Sequence, residues 1–390
     1  MRKLEHFNLL LSLIALIAVG QMTQTIYVPV IAEIATYFAE PDGAVQSVMG
    51  AYLLFYGFSQ LFYGPISDHI GRRPVILVGL IIYLFATIIA IFAPSLQSLI
   101  IASALQGLGV GVAGVMARTM PRDLYTGTAL RYANSLLNMG ILVSPLLAPM
   151  IGGVIAYFLG WHATYIFLFL LGGFVLISMW KWLPETCPPA SEKRNMLSAY
   201  YLLLSNPIFD AYLLILIGGL AGVVVFESSS GILLGGVLGL NSITVSILFI
   251  LPIPAAFLGA WYAGREGRTF YQLMWQAVLC CVSAAIIMWL PGWFGFMNVW
   301  SLLIPAGLFF FGAGMLFPLA TTGAMEPFPY LAGAAGALVG GLQNVGSGVA
   351  AWLSAHLPQT GQFSLGMLMF AMSILILLCW LPLAYKMDKK

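Results

Sequence analysis

Charged residues are scarce in this chain: Asp, Glu, Lys and Arg make up 7% of its 390 residues, whereas 61% are hydrophobic. Soluble globular chains carry about 25% charged residues, so this shortage excludes an ordinary water-soluble domain. The mean hydropathy of +0.99 supports the same conclusion. The formal net charge of +2 provides no basic excess of the kind that binds nucleic acid. The lipid bilayer is therefore the expected environment, and no nucleic-acid partner is expected.

Residues that carry metal or cofactor chemistry are also few, with four cysteines and four histidines. The cysteines lack metal-ligand spacing, and the histidines are scattered near the ends of apolar runs, so clustered catalytic groups are not expected. The sequence contains no Gly-x-x-x-x-Gly-Lys-Ser/Thr, which argues against an ATP-driven pump. We therefore predict a protein that is not an enzyme and that needs neither a metal nor a cofactor.

Long apolar runs dominate the chain. A helix needs about 20 apolar residues to cross a bilayer, and twelve runs come close to that length. They lie at about 8–30, 44–66, 74–93, 97–118, 134–157, 163–182, 208–228, 243–263, 271–291, 298–320, 331–355 and 363–384. The sequence thus predicts an all-α polytopic membrane protein with twelve transmembrane helices.

The basic residues predict the orientation of these spans, because short loops rich in Lys and Arg stay in the cytoplasm. With the N-terminus inside, all fifteen Lys and Arg residues fall on the cytoplasmic side and none on the other. A miscounted span would have moved at least one basic group to the outer face. The pattern therefore predicts that both termini are cytoplasmic.

One polar stretch, about 183–207, separates the first six spans from the last six. Weak repetition fits two related halves, since Asn138-Met139-Gly140 in span 5 is echoed by Asn344-Val345-Gly346 in span 11. We predict an N-terminal six-helix bundle at 1–190, a cytoplasmic linker at 191–207 and a C-terminal six-helix bundle at 208–390.

The densest charged motif runs from Gly64 to Pro74 and reads GPISDHIGRRP. It predicts a tight loop in which Gly64 and Gly71 allow close backbone approach and positive φ. Asp68 can pair with Arg72 or Arg73, or lie at the N-terminal end of a neighbouring helix. The motif is either a gate built from these five residues or an ordinary positively charged cytoplasmic loop.

Span 5 contains a second motif, with prolines and small residues at Gly140, Pro145, Pro149, Gly152 and Gly153. Prolines interrupt the hydrogen bonds of a membrane helix, and small residues beside them permit close helix contact. This pattern indicates either a helix with a mechanistic role or a kinked packing helix.

The first motif resembles the loop between helices 2 and 3 of the major facilitator superfamily, although His69 replaces the usual Arg. Span 5 resembles the drug/proton antiporters of that superfamily, with Ala148 where the family carries Gly. The stretches 21–29, 107–121 and 325–329 resemble the EmrD-type multidrug transporters. This resemblance implies two six-helix bundles and proton-driven export of hydrophobic or cationic compounds and detergents from the bacterial inner membrane. The membrane Arg of the family's span 4 is Ser103 here, and Arg118 is either its substitute or an anchor at the cytoplasmic end of the span.

Residue types independently suggest a site for substrate and proton. Glu227 is the one acid well inside an apolar run, and an ionisable group there is a functional candidate by default. It is either a proton carrier or a neutral, hydrogen-bonded structural residue, and Glu33 is its competitor. A cavity of apolar and polar side chains is predicted from Gln21, Gln24, Tyr27, Tyr52, Tyr56, Phe226, Phe249 and Trp300.

The function predicted from these features is proton-coupled efflux of hydrophobic or amphipathic drugs by alternating access. The expected partners are small hydrophobic or cationic substrates, protons and lipid, and a monomer is the expected state. The alternative is a proton-coupled exporter of one metabolite, a sugar or an amino acid, on the same fold.

Overall fold

The computed structural model describes residues 7–125, 127–186, 196–265, 267–328 and 331–388. Within these ranges the regular structure is entirely helical. This result follows from the composition, because in lipid every backbone N–H and C=O group must be paired internally and an α-helix achieves this within one segment. The predicted all-α class is confirmed.

The first part of the chain forms seven α-helices and one 3₁₀ turn. In chain order they are α1 (Phe7–Thr25), the 3₁₀ turn (Val28–Val30), α2 (Ile31–Phe38), α3 (Asp42–Ile70), α4 (Arg72–Ile91), α5 (Leu96–Leu124), α6 (Gly127–Leu159) and α7 (His162–Trp182).

The second part forms eight α-helices and one π-helical segment. They are α8 (Met196–Leu204), α9 (Pro207–Gly231), the π-helix (Ile232–Val237), α10 (Ser242–Ile250), α11 (Ile253–Ala263), α12 (Phe270–Trp293), α13 (Val299–Met325), α14 (Ala332–Ala355) and α15 (Gln362–Asp388). Several begin at a side-chain cap: Asn206 caps α9, and Thr269 and Asn298 form capping boxes for α12 and α13.

Each predicted span lies on one or two of these helical segments. In the part of the chain that the structure describes, nine stretches are long and apolar enough to cross a membrane, and 143–159 within α6 is a shorter apolar stretch. The other two predicted spans lie on α3 and α14, whose glutamines and small residues lower the hydropathy.

Three predicted spans are less regular than the apolar runs suggested. Span 1 ends as an α-helix at Thr25 and continues through the 3₁₀ turn that contains Pro29. Span 8 is divided into α10 and α11 at Pro252, because proline cannot donate the backbone hydrogen bond that an unbroken helix needs. Span 7 continues beyond Gly231 as the π-helix.

The contacts within the chain divide it into two compact units. The first unit contains residues 1–27 and 51–194, and the second contains residues 28–50 and 195–390. In the first unit α1 packs against α5, α6 and α7, and α4 packs against α5 and α7. In the second unit α9 lies among α13, α14 and α15, while α12 packs against α13 and α15.

Two parts of the sequence fold differently from the simple pattern of two halves and a loop. The segment predicted as a cytoplasmic linker contains α8, which packs on α9 and α14 of the second unit. Residues 28–50 precede most of the first unit in the chain but group with the second. The hydropathy of a segment indicates that it is buried, but not which helices it packs against. Hydropathy therefore cannot predict this grouping.

Candidate functional site

The junction between α3 and α4 is shorter than the predicted loop. α3 continues through Asp68 to Ile70, and Gly71 alone connects it to α4 with φ of +99°. The positive φ favours glycine there, and a Cβ atom on Gly71 would lie 2.5 Å from Oε2 of Glu185, so another residue would displace that carboxylate. The prediction for Gly64 is wrong, because this residue lies inside α3, and a Cβ there would come no closer than 3.8 Å to Val115.

Arg72 is the centre of a charged cluster at this junction. Its guanidinium donates to Oδ1 of Asp68 at 2.5 Å and to Oδ2 of Asp123 at 3.2 Å. It also donates to the hydroxyl of Ser67 at 2.5 Å. The Arg72 side chain is only 5% exposed, whereas that of Asp68 is 51% exposed and that of Asp123 is 11% exposed. The pairing of Asp68 with Arg72 was expected, and the second partner, the largely buried Asp123, was not.

Glu185 binds the first turn of α4. Its carboxylate accepts hydrogen bonds from the backbone N–H groups of Arg72 at 2.9 Å and Arg73 at 3.2 Å. Free N–H groups and the positive end of the helix dipole favour an anion at this position. The sequence suggested Asp68 as an anion at the N-terminal end of a helix, but in the structure Glu185 occupies this position at α4. The Arg73 guanidinium donates to the carbonyl of Trp180 at 2.9 Å, near the C-terminal end of α7.

The carboxyl of Asp123 lies beyond the apolar part of α5. Burial raises its pKa above the ordinary value for aspartate, and the neighbouring Arg72 opposes this shift without cancelling it. Asp123 therefore binds a proton at a higher pH than a solvated aspartate. As the pH falls, its ion pair with Arg72 therefore weakens at a higher pH than the pair of a solvated aspartate would.

The sequence contained a signal for both missed acids. Asp123 lies five residues beyond the fourth apolar run, and Glu185 follows the sixth in the stretch Leu183-Pro184-Glu185. Acids at span ends next to a loop with two arginines could have been paired with that loop by charge alone. Which acid contacts which arginine depends on tertiary structure.

The second motif lies on α6, with Pro145 and Pro149 inside the helix. α6 packs against α1, and a Cβ on Gly152 would overlap the carbonyl oxygen of Ile26. Gly152 is therefore a close-contact residue, as the small-residue pattern predicted. Gly153 is buried beside it. The side chain of Arg118 and the surroundings of Gly140 lie outside the described residues.

We expect Gly152→Ala to destabilise the protein in detergent by about 1–3 kcal/mol, because an added methyl group in a packed contact forces the backbone apart. Thermal unfolding of the purified protein measures this effect. Gly219→Ala is the matched control, since a Cβ at that buried glycine meets only Leu316 at 3.7 Å. Equal melting temperatures for the two variants would contradict the role of Gly152.

The predicted cavity residues of the first unit are mostly packed. Tyr52 and Tyr56 stack with ring centroids 5.6 Å apart, and the Tyr52 hydroxyl donates to the carbonyl of Gly20 at 2.6 Å. Tyr27 lies in a turn after α1 and stacks on Tyr165. The expected stripe of Gln21, Gln24 and Tyr27 is therefore incomplete, because α1 ends at Thr25. Gln21 and Gln24 are half-buried.

A buried polar network that the sequence reading did not single out connects three helices of the first unit. The Tyr83 hydroxyl is 2.8 Å from the hydroxyl of Thr23 in α1. Thr87 donates to the Tyr83 carbonyl at 2.7 Å, and the amide of Gln106 in α5 donates to Thr87 at 2.9 Å. Gln106 belongs to the span-4 sequence that lacks the family's membrane Arg. The buried polar groups that connect α1, α4 and α5 here are hydroxyls and one side-chain amide.

Glu227 is buried in α9 of the second unit, with 7% of its surface exposed. The three serines that follow it are also buried, and Ser228 and Ser230 donate to the carbonyls of Val225 and Glu227. Ser229 instead contacts Ser354 of α14, with their hydroxyl oxygens 3.2 Å apart. Glu33 is exposed in the first turn of α2, so burial distinguishes the two candidate acids.

The three predicted aromatic residues of the second unit do not form one cluster. Phe226 packs edge-to-face on Phe310 with ring centroids 5.7 Å apart. Phe249 is fully buried in α10. Trp300 lies in the first turn of α13 and is 62% exposed, which is more typical of a side chain near a membrane surface than of a buried wall.

Comparison with known proteins agrees with this architecture. The sequence model of the Major Facilitator Superfamily matches residues 13–351. Over 388 residues the chain is 65% identical to Multidrug resistance protein D of Escherichia coli K12, covering 100% of this chain and 98% of that protein. It is 24% identical over 325 residues to the Bicyclomycin resistance protein homolog of Haemophilus influenzae, covering 81% of both chains.

Among solved structures, a bacterial homolog of the human lysosomal transporter Spinster, in an inward-facing and occupied conformation, superposes with a TM-score of 0.70. The match covers 97% of this chain and 96% of that one at 16% identity, and it therefore bears on the fold alone. The family match extends over most of the chain, and the sequence identity to a member is high over its full length. This multi-pass membrane protein belongs to the Major Facilitator Superfamily.

Proposed function

We propose that this protein exports hydrophobic and amphipathic drugs and detergents by alternating access, in exchange for protons. The observation that carries the proposal is the 65% identity, over essentially the whole of both chains, to a multidrug resistance protein. A relative named for bicyclomycin resistance supports the same substrate class. Substrates are small hydrophobic or cationic molecules, and the driving force is proton influx.

Within this function we assign proton transfer to Glu227. A charged group is disfavoured in apolar surroundings, and an ionisable residue inside a membrane span is a functional candidate by default. A cationic substrate near Glu227 would favour the ionised form and hence proton loss. Substrate and proton would then weaken each other's binding to the same extent, which is the coupling that exchange requires. Within the second unit, Phe226, which adjoins Glu227 in α9, is a proposed apolar surface for the substrate.

We assign gating to the charged cluster at the α3–α4 junction. Arg72 binds carboxylates of α3 and α5, and Glu185 joins the end of α7 to the start of α4. These bonds hold four helices of the first unit together at one end. We propose that they stabilise one conformation of the cytoplasmic side and loosen during transport.

The proposed setting is the bacterial inner membrane, with both termini in the cytoplasm and the protein acting as a monomer. The all-cytoplasmic distribution of the fifteen basic residues supports this orientation. The proposed division into bundles at 1–190 and 208–390 corresponds to the two halves of six predicted spans on either side of the central polar stretch.

Drug accumulation in an efflux-deficient bacterium tests the proposed function. Cells that produce this protein should accumulate less of a cationic dye and tolerate higher concentrations of hydrophobic drugs and detergents than cells that carry an empty vector. A protonophore should abolish the difference. Unchanged tolerance to every drug, together with export of a sugar or an amino acid, would favour the alternative exporter.

A further inference from the structure

Residues 28–50, here called the crossing segment, pack on the second unit through several helices. The 3₁₀ turn lies against α9 and α10, and α2 lies against the π-helix. The start of α3 lies close to α14, because a Cβ on Gly50 would be 3.0 Å from the backbone N of Trp352 and 3.1 Å from the carbonyl O of Gly348. The backbones of α3 and α14 therefore approach each other closely at this glycine.

Gln46 lies in the middle of this contact and is fully buried. Its amide nitrogen donates to the Ser229 hydroxyl of α9 at 3.3 Å, and that hydroxyl is 3.2 Å from the hydroxyl of Ser354 in α14. One polar chain of three side chains thus connects α3, α9 and α14. Ser229 follows Glu227 by two residues in α9, so this polar chain and the proposed proton carrier belong to the same helical turn.

The hydrogen bonding of Gln46 is incomplete. Its carbonyl Oε1 is buried and accepts no hydrogen bond from the described residues. A buried acceptor without a donor is destabilising, and a partly satisfied polar group is worse for stability than an apolar side chain of the same size. Leucine or methionine at this position would therefore hold the crossing segment more tightly than glutamine does.

We propose that Gln46 is a positioning residue whose half-satisfied amide keeps the crossing segment weakly seated on α9 and α14, so that the segment separates during each transport cycle. The proposal rests on the transport function proposed above. Gln46 affects the rate of the conformational change and takes no part in substrate recognition. Gly50 acts in the same contact by permitting the close approach to α14.

Gln46→Leu tests this proposal in the full-length purified protein. Hydrogen exchange of the backbone amides of residues 43–50 should slow by about tenfold, the size expected when a buried unsatisfied acceptor is removed. The melting temperature should rise. In reconstituted vesicles the maximal rate of proton-driven dye export should fall severalfold while KM stays nearly unchanged, because binding is intact and the conformational step is slower.

Two further variants make the test specific. Gly50→Ala should have the opposite effect on exchange, because the added methyl group pushes α3 away from the backbone of α14. Gln60→Leu is the matched control: Gln60 is another buried glutamine of α3 whose Oε1 accepts no hydrogen bond within the described part of the chain, but it belongs to the first unit. Gln60→Leu should leave exchange of residues 43–50 unchanged.

Faster exchange or a lower melting temperature in Gln46→Leu would overturn the proposal, because the amide would then be a stabilising bond. Slower exchange with an unchanged export rate would also overturn it. Exchange and melting need no substrate, so they remain informative if the protein exports something other than drugs. Failure of the proposed function would instead appear as absence of dye export by the unmodified protein.

Discussion

Glu227→Gln should abolish the release of protons when a cationic substrate is added to the purified protein. Glutamine has the same shape as a protonated glutamate and retains a hydrogen-bond donor and acceptor, but it has no proton to exchange. Because Glu227 and the three serines that follow it are buried in α9, this substitution preserves packing. Loss of proton release would then show that the carboxyl group itself is required, because the fold is unchanged.

The affinity for a cationic substrate should also fall by about 10- to 100-fold, which corresponds to the loss of a charge-assisted interaction of about 1.5–3 kcal/mol. Binding of neutral apolar ligands should change little, since no charge is involved. A pH electrode in weakly buffered detergent solution measures proton release, and fluorescence titration measures binding of each ligand class.

Glu33→Gln is the control for this experiment. Glu33 is the competing acid, and it lies exposed in the first turn of α2. Its replacement should leave proton release intact. Normal release from Glu227→Gln combined with loss of release from Glu33→Gln would transfer the role to Glu33 and contradict the assignment.

The location of the apolar helices was predictable from sequence because hydropathy acts locally. Twenty apolar residues between polar stretches have few other stable conformations in a bilayer, and each predicted run lies on a helix. The breaks were less predictable. Pro252 divides span 8, yet Pro145 and Pro149 lie inside an assigned helix, so the presence of proline alone does not locate an interruption.

The charged cluster was only half predictable, for a different physical reason. Asp68 and Arg72 are four residues apart on one helical path, so their contact follows from local geometry. Asp123 and Glu185 approach the same arginine from positions 51 and 113 residues away. Contacts of that range depend on how α4, α5 and α7 pack, which no local pattern reports. The seating of residues 28–50 on the second unit was unpredictable for the same reason.

Arg72→Ala should cost more stability than any other single substitution in the charged cluster. The arginine is nearly buried between Asp68 and Asp123, and its removal leaves Asp123 as a poorly solvated carboxylate without a cation. Removing one partner of a buried ion pair costs about 3–5 kcal/mol in well-packed cases. Thermal unfolding in detergent measures this loss, and Arg73→Ala, which removes a half-buried guanidinium bonded to the carbonyl of Trp180, should cost much less.

The double variant Arg72→Met, Asp123→Leu separates stability from gating. Apolar residues of similar volume avoid the desolvation penalty of both charges, so the melting temperature should recover most of what Arg72→Ala loses. Transport should not recover, because the proposed gate needs a charged contact that can form and break. Burial raises the pKa of Asp123 because it penalises the charged carboxylate, so Asp123→Asn, which removes that charge, should be milder than Arg72→Ala. Full transport by the double variant would show that Arg72 and Asp123 serve packing alone and would remove them from the mechanism.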